Sequence, residues 1–324
     1  MRRREFIAGL GGTAAWPLVT SAQERGRIYR IGFLLPFGRE TPTVSLFLDE
    51  LRLNGFIEGQ NLTVVPGGMN VSAEQIAQAV AALVNAAPDV IFTGPDIYTR
   101  AIQRVAQTIP IIALSGDFLA AGLVASLARP GGNTTGVSMF APELDDKAQG
   151  ILMEVAPNAH RTAAIADSTM QRSTPRYFQA LKDATRSRNV ELSIFTVATP
   201  EEVRPAIDAA KASGAEALNF LAAPIFFTYR KAIIEHVAVV RLPAVYQQPE
   251  MAEDGGLVGY GPRVSQNIRQ AARLVIKVLR GANVADLPVE QPTKFELVIN
   301  LKSAKSIDYE VPAGLVLRAD KVIE

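Results

Sequence analysis

Short apolar runs alternate along this chain with segments of helical periodicity. Residues 31–36 form a short, mainly apolar run, which is typical of a strand buried on both faces. Between Val44 and Leu51 the apolar residues recur at the three- and four-residue spacing of an amphipathic helix, and Gly55 follows as a stop signal. This part of the chain is therefore predicted to form a strand followed by a helix.

The same alternation continues to about residue 140 and restarts after about residue 158. Helix starts are predicted at Ser72, where Gln75 completes a capping box, and at the Thr-Pro pairs 174–175 and 199–200. Further strands are predicted at 62–65, 89–93, 110–114, 136–140, 162–167, 192–197, 217–221 and 244–247. Strands that alternate with helices indicate parallel sheets joined by right-handed crossovers.

The length of the chain decides how these elements are grouped. A chain of 324 residues is long enough for about two domains, and two sheets of about five strands are more usual than one sheet of ten. The predicted fold is α/β with two doubly wound parallel-sheet lobes. A barrel of eight strand–helix units is the alternative, because it needs a similar length and alternation.

The first 22 residues have the pattern of a cleavable signal peptide. Arg2, Arg3 and Arg4 precede an apolar stretch over 7–19, and a small residue, Ala22, ends the segment. The apolar stretch is too short to cross a bilayer, so we expect a mature protein that does not span the membrane and resides in the periplasm. An arginine pair followed after one residue by Phe6 resembles the twin-arginine signal, with general secretion as the alternative.

Composition and charge exclude several classes of function. Lys plus Arg number 33 and Asp plus Glu 32, so there is no basic excess for a nucleic-acid partner. The chain has no cysteine and two histidines, which rules out disulfides and thiolate metal sites. We expect no cofactor, no metal and no nucleic acid.

No catalytic motif is found. The sequence has no G-x-S-x-G elbow, no phosphate-binding G-x-x-x-x-G-K-[ST] loop and no H-E-x-x-H helix. Asp145 and Asp146 are adjacent, so on a helix they point about 100° apart, and we interpret them as solvated residues. His160 and His236 are each interpreted as a surface histidine or one with its hydrogen bonds satisfied, and the protein is predicted not to be an enzyme.

The candidate ligand-binding residues follow the predicted strands, because open parallel sheets bind ligands beyond the carboxyl ends of their strands. They are Phe37, Gly38, Arg39, Gly94, Pro95, Asp96, Ser115, Gly116, Asp117, Phe118, Phe140, Ser168, Thr169, Pro224, Phe226, Phe227, Gln247 and Gln248. Ordinary turn chemistry explains the small and polar members equally well, and each phenylalanine could instead cap the core of its own lobe.

Within this set, Arg39 could hold a ligand carboxylate through two parallel hydrogen bonds. Phe37, Phe118, Phe226 and Phe227 would supply apolar surface beside it. This predicts a small aromatic or apolar carboxylate as ligand. The neighbouring Glu40 is a counter-argument, since it could neutralise the arginine.

Four longer segments carry a resemblance to a known family. They are residues 2–7 (RRREFI), 55–61 (GFIEGQN), 122–133 (GLVASLARPGGN) and 287–300 (LPVEQPTKFELVIN). The chain resembles the ABC-transporter substrate-binding proteins of the tryptophan/tyrosine type. Residues 36–40 and 246–250 depart from the family's usual pattern, so the resemblance does not name the ligand.

The resemblance implies a type I periplasmic-binding fold, in which a hinge of three crossings joins two lobes that hold a small molecule between them. The crossings are expected at 140–142, 248–250 and 291–293. Lobe 1 would comprise 28–140 plus 250–290, and lobe 2 would comprise 141–249 plus 291–324. The implied partners of this monomer are an ABC permease and its ATPase. A ligand sensor for a membrane receptor and an exported α/β enzyme are the alternatives.

Overall fold

A computed structural model describes residues 26–139, 142–168 and 175–324. The predicted signal segment 1–22 and the candidate residues Phe140 and Thr169 lie outside these ranges. The described residues form two separate sheets, each flanked by helices, which confirms the α/β two-lobe prediction and excludes the single barrel.

The first sheet is parallel throughout and defines lobe 1. Its strand order is β2-β1-β3-β4-β5. The strands are β1 Tyr29–Leu34, β2 Leu62–Val64, β3 Val90–Thr93, β4 Ile111–Ser115 and β5 Thr134–Ser138. The helices after β1, β2 and β3 are α1 Pro42–Leu53, α2 Ile76–Asn85 and α3 Asp96–Val105, with the 3-10 turn Ala73–Gln75 before α2. The predicted Ser72–Gln75 capping box is present.

The second sheet defines lobe 2 and has the strand order β12-β11-β10-β9-β8-β6-β7. Its strands are β6 Arg161–Asp167, β7 Glu191–Val197, β8 Ala217–Phe220, β9 Ala244–Tyr246, β10 Val258–Gly261, β11 Glu296–Asn300 and β12 Lys321–Ile323. The remaining helices, in chain order, are α4 Pro142–Val155, α5 Pro175–Arg186, α6 Val203–Ala212, α7 Pro224–Thr228, α8 Arg230–Val240, α9 Pro249–Glu253, α10 Val264–Leu279, α11 Leu301–Ser306 and α12 Ala313–Val316. Short 3-10 turns lie at Pro200–Glu202 and Val284–Asp286. The pairing of β10 with β11 is antiparallel, unlike the parallel pairing predicted.

Aromatic clusters fill the centre of each lobe. In lobe 1, Phe47 of α1 lies between Phe33 and Phe92 of the sheet, with ring centroids 5.4 and 4.3 Å away. In lobe 2, Phe220 of β8 stacks on Tyr246 of β9 at 5.0 Å. Burial of such large rings is a main source of stability and fixes the ends of the strands that carry the candidate site.

The chain crosses between lobes at a position that differs from the prediction. Residues 250–261 were assigned to lobe 1, but β10 pairs with β9 and β11 and therefore belongs to lobe 2. Helix α10 packs on the lobe 1 core, so the second crossing lies at 262–263. The two glycines at 255–256 form the turn before β10. Their turn signal led to a predicted lobe boundary about a dozen residues before the crossing at 262–263.

The third crossing lies between the edge of one sheet and the start of a strand in the other. The N–H of Ser138 donates to the carbonyl of Glu290 at 2.9 Å, which attaches Glu290 to the edge of β5. Residue 296 already belongs to β11 of lobe 2, so the chain crosses within 291–295. Among the described residues, no helix is both long and apolar enough to cross a membrane.

Candidate functional site

The carboxyl ends of strands from both sheets meet beside the hinge. A cavity of about 10 Å³ lies there, lined by Met139, Leu144, Ala222, Gln247, Gln248, Pro262, Val264 and Asn267. Met139 follows β5 of lobe 1, whereas Ala222 and Gln247 follow β8 and β9 of lobe 2. The topology therefore places both lobes around one space, as open parallel sheets require of a ligand site.

Asp145 is a buried site residue that the sequence analysis misplaced. It lies in the first turn of α4 and is 3% exposed, whereas Asp146 is exposed. Its Oδ1 accepts hydrogen bonds from Gln247 Nε2 at 2.6 Å and from the Ala222 backbone N–H at 3.2 Å. The prediction that both aspartates are solvated is wrong for Asp145, because α4 turns that side chain towards the ends of β8 and β9. The buried neighbours Leu144 and Ala148 on the same helix were the available signal.

Further buried amides join α4 to the sheet of lobe 2. The Nδ2 group of Asn219 donates to Gln149 Oε1 at 3.0 Å, and Gln149 Nε2 donates to Thr162 Oγ1 at 3.3 Å. Each of the three side chains forms at least one directional bond, although Asn219 Oδ1 has no partner among the described residues, and these bonds hold α4 on the sheet. Because α4 is held in place, Asp145 stays within hydrogen-bonding distance of Gln247.

Gly261 is needed where the chain passes Gln247. A Cβ at residue 261 would overlap the carbonyl oxygen of Gln247. The end of β10 can approach the loop after β9 only because this residue has no side chain. The close approach sets the position of Gln247 beside the second crossing.

Asp96 and Asp117 make the candidate edge of lobe 1 acidic. Asp96 begins α3, and Ser115 Oγ at the end of β4 donates to its Oδ1 at 2.6 Å. Burial raises the pKa of Asp96, and the hydrogen bond from Ser115 opposes this shift. The Asp117 carboxylate accepts hydrogen bonds from the backbone N–H groups of Leu119 and Ala120. Gly94, Pro95 and Gly116 form the turns that carry these side chains.

Arg39 lies after β1, but its guanidinium has a partner within lobe 1. It forms an ion pair with Glu58, and its side chain is 51% exposed. The hydrogen bond that Arg39 donates to the Glu58 carboxylate raises the pKa of Arg39. The Glu40 carboxylate folds over Gly38 and not onto the arginine. Arg39 is therefore neutralised in an exposed salt bridge, as the counter-argument in the sequence analysis expected, but its partner is Glu58 and not Glu40.

Two of the four phenylalanines are core residues. Phe118 is fully buried against Ala113 and Val289, and Phe226 packs edge-on against Phe220 at 5.5 Å. Neither ring is accessible, so the expectation that Phe118 and Phe226 line the ligand site is corrected. They cap the cores of their own lobes.

The other two phenylalanines remain partly accessible. Phe37 is half-buried against the lobe 1 core. Phe227 is half-buried, and the guanidinium of Arg230 lies 4.4 Å from its ring centroid. Among the remaining candidates, Ser168 follows β6 and Gln248 precedes α9, both half-buried, and Pro224 begins α7.

Two of the described arginines near the strand ends already have partners. Arg100 of α3 donates to the Ala121 carbonyl at 2.6 Å, and Arg230 pairs with Asp254 at 2.6 Å. Within the described ranges no group of three or more His, Cys, Asp or Glu side chains could hold a metal ion. The described site can therefore offer hydrogen bonds, apolar surface and negative charge to a small molecule.

The sequence of this chain is similar to those of known ligand-binding proteins. The model of a family described as ABC transporter substrate binding protein matches residues 41–323. The tyrosine-binding protein of Clostridioides difficile (strain R20291) is 24% identical over 266 residues, which cover 82% of this chain and 76% of that protein.

Two solved structures share the fold over nearly the whole chain. A conserved domain protein from Vibrio cholerae has a TM-score of 0.79 at 22% identity, covering 91% of this chain and all of that one. The ABC domain in complex with L-Trp from Streptococcus pneumonia has a TM-score of 0.76 at 21% identity, with the same coverage. The two lobes thus have the type I periplasmic-binding-protein fold, as the resemblance implied.

Proposed function

Because this chain belongs to the family of ABC transporter substrate-binding proteins, we propose that it is the solute-binding component of an ABC importer. The observation that carries the proposal is the cavity lined from both lobes at the carboxyl ends of their strands. A hinge of three crossings allows the lobes to close over a small molecule and bury it. Ligand polar groups would then exchange water for loop amides, hydroxyls and carboxylates.

The proposal includes the route and partners of the protein. The signal segment over 1–22 directs export to the periplasm, and its arginine pair directs the chain to the twin-arginine pathway. There the mature monomer delivers its ligand to a membrane permease and the associated ATPase. It needs no cofactor for this task, because binding and release involve no covalent step.

The proposed ligand is a small amino acid or related molecule with an apolar or aromatic side chain. Asp96 and Ser115 at the lobe 1 edge suit an ammonium group, since a carboxylate and a hydroxyl both accept its hydrogen bonds. Phe37 and Phe227 offer partly exposed rings for the side chain. The relative that binds tyrosine and the structure that holds L-Trp support this class.

The residues that we propose contact the ligand are fewer than the candidates predicted from the sequence. Gln247 and Gln248 supply lobe 2 contacts next to the hinge. Phe118 and Phe226 are omitted because they are buried in the cores, and Arg39 is omitted because Glu58 occupies its guanidinium.

A thermal-shift screen of the mature protein against amino acids, aromatic acids and sugars tests this function. A ligand at about 1,000 times its dissociation constant adds about 4 kcal/mol to the free energy of unfolding, so the true ligand class gives a clear shift. Calorimetry should measure affinity, because the single tryptophan, Trp16, lies in the signal segment. The absence of any stabilising small molecule would contradict the solute-binding role, and stabilisation by sugars alone would contradict the ligand class. An uptake assay in cells lacking the protein then tests import directly.

A further inference from the structure

Three amide side chains interrupt the apolar wall of the cavity at the hinge. Gln247, Gln248 and Asn267 lie among Met139, Leu144, Ala222, Pro262 and Val264, and Gln247 and Asn267 come from different lobes. Gln247 follows β9 in lobe 2, whereas Asn267 belongs to α10 on lobe 1. A group seated between the two amides would contact both lobes.

The orientation of the Gln247 amide follows from its partner. The backbone N–H of Ala222 can only donate, so Asp145 Oδ1 acts as the acceptor in that bond. The group of Gln247 at 2.6 Å from the same oxygen is then the NH₂ donor. Its carbonyl oxygen Oε1 is left buried with no hydrogen-bond partner among the described residues.

Asn267 offers complementary chemistry from the other lobe. It is 2% exposed, and the hydrogen bonds formed among the described residues leave its side-chain amide unused. Among the described residues, Gln247 Oε1 is a fully enclosed polar atom that has lost the hydrogen bonds water would give it, whereas the atoms of the Asn267 amide are not fully enclosed. Both side chains therefore retain unmet hydrogen-bonding capacity towards the same small space.

The size and charge of this space limit what can fill it. A volume of about 10 Å³ corresponds to one water-sized group. A carboxylate is disfavoured, because it would face the Gln247 carbonyl oxygen and the Asp145 carboxylate behind it. A hydroxyl group satisfies both amides, since it donates to Gln247 Oε1 and accepts from Asn267 Nδ2.

We propose that Gln247 and Asn267 form a selectivity site that binds a single hydroxyl group at one end of the ligand. The inference rests on the proposed solute-binding function and extends it, because the hydroxyl would bridge the two lobes and so favour their closed arrangement. Asp145 acts as a positioning residue that keeps the Gln247 acceptor turned towards the ligand. A ligand without the hydroxyl would bury Gln247 Oε1 unpaired.

The test compares ligand pairs that differ by one hydroxyl. The affinities of the mature protein for L-tyrosine and L-phenylalanine, and for 4-hydroxybenzoate and benzoate, are measured by calorimetry. We expect at least one hydroxylated member to bind about tenfold to a hundredfold more tightly than its partner, the range given by leaving one buried acceptor unpaired. In Asn267→Leu the ratio should fall by about threefold or more, since the hydroxyl loses the donor of Asn267 and keeps only Gln247 Oε1 as a partner.

Gln270→Leu is the matched control, because it makes the same amide-to-leucine change one turn further along α10, where Gln270 bonds to Glu290. It should keep the wild-type ratio. Asn267→Ala repeats the test with a smaller side chain in case leucine prevents folding. Equal affinities within every pair, a ratio unchanged in both Asn267 variants, or no binding of any pair member would overturn the selectivity site. The broad thermal-shift screen separates this failure from that of the proposed function, which stands if another small solute binds.

Discussion

The backbone N–H of Val264 donates to Glu250 Oε1 at 3.0 Å across the second crossing. Val264 is the first residue of α10 on lobe 1, and Glu250 lies in α9 of lobe 2. A carboxylate at a helix N-terminus meets free N–H groups and a favourable dipole. One lobe thus caps a helix of the other at the point where the chain crosses between them.

Glu250 is expected to tolerate loss of its charge but not loss of its acceptor. Burial raises the pKa of Glu250, and its Oε2 has no hydrogen-bond partner among the described residues. The charged form therefore lowers the stability of the fold above the folded-state pKa. At neutral pH, Glu250→Gln should equal or exceed the wild type in free energy of unfolding, while Glu250→Ala should be about 1 kcal/mol below Glu250→Gln. Urea unfolding measures both, and a glutamine variant as unstable as the alanine variant would contradict the capping role.

Arg263 connects the second and third crossings. It forms two 3.1 Å hydrogen bonds with Glu253 and another with Glu296 at the start of β11. Arg263→Met should lower the free energy of unfolding by about 1–3 kcal/mol, less than for a fully buried pair because Lys321 and Lys294 still contact the two glutamates. Arg186→Met is the control: its ion pair with Asp183 is exposed, and its loss should change stability by less than about 0.5 kcal/mol.

The contribution of Arg263 should also depend on pH. Its hydrogen bond to Glu253 holds the pKa of that carboxyl below its usual value. A lowered carboxyl pKa contributes stability above the unfolded-state pKa, and this contribution is lost as the pH falls through the folded-state pKa. The stability difference between the wild type and Arg263→Met should therefore shrink on acidification. A difference that grows in acid would show that Arg263 stabilises the hinge by some means other than these ion pairs.

Arg39 is expected to matter little for the ligand. Its pair with Glu58 is half-exposed, so Arg39→Ala and Glu58→Ala should each change the free energy of unfolding by less than about 1 kcal/mol. Affinity for the ligand found in the screen should stay within about threefold in Arg39→Ala, because Glu58 already occupies the guanidinium. A loss of tenfold or more would restore Arg39 as the anchor of a ligand carboxylate.

Local patterns predicted the first nine strands, because each combines an apolar run with turn residues at its end. Strand β1 and helix α1 are examples, in which the periodicity between Val44 and Leu51 matches the face that packs on the sheet. Strands β10, β11 and β12 were missed. The order and antiparallel direction of β10 and β11 depend on contacts distant in sequence, which no local pattern encodes.

The candidate site was predictable in outline and not in its contacts. Topology alone placed Asp96, Ser115 and Gln247 at strand ends. Whether a loop residue faces the cleft or the core depends on tertiary packing, so Phe118 could not be distinguished from an accessible ring. Asp145 and Asn267 were missed because each lies on a helix, and only the assembled lobes turn these side chains towards the hinge.

Asp96 should show opposite effects on stability and on binding. Burial raises its pKa, so the charged form costs stability as the pH rises through the folded-state pKa. Asp96→Asn keeps an oxygen that can accept from Ser115 Oγ and removes the buried charge. At neutral pH the variant should unfold at higher urea concentration than the wild type, and this advantage should vanish in acid, where Asp96 is protonated in both states.

The same variant should bind an amino-acid ligand less tightly, by about tenfold or more, because the ammonium group loses a charged acceptor. An ammonium-free analogue such as 4-hydroxybenzoate, in contrast, should bind equally well or better, since a negative charge at the lobe 1 edge has been removed. Asp49→Asn, at an exposed position on α1, should change neither stability nor affinity measurably. Both properties are measured on the same preparations by urea unfolding and calorimetry. If Asp96→Asn gains stability and keeps its amino-acid affinity, Asp96 is a buried charge that does not contact the ligand, and the ammonium group must bind elsewhere in the cleft.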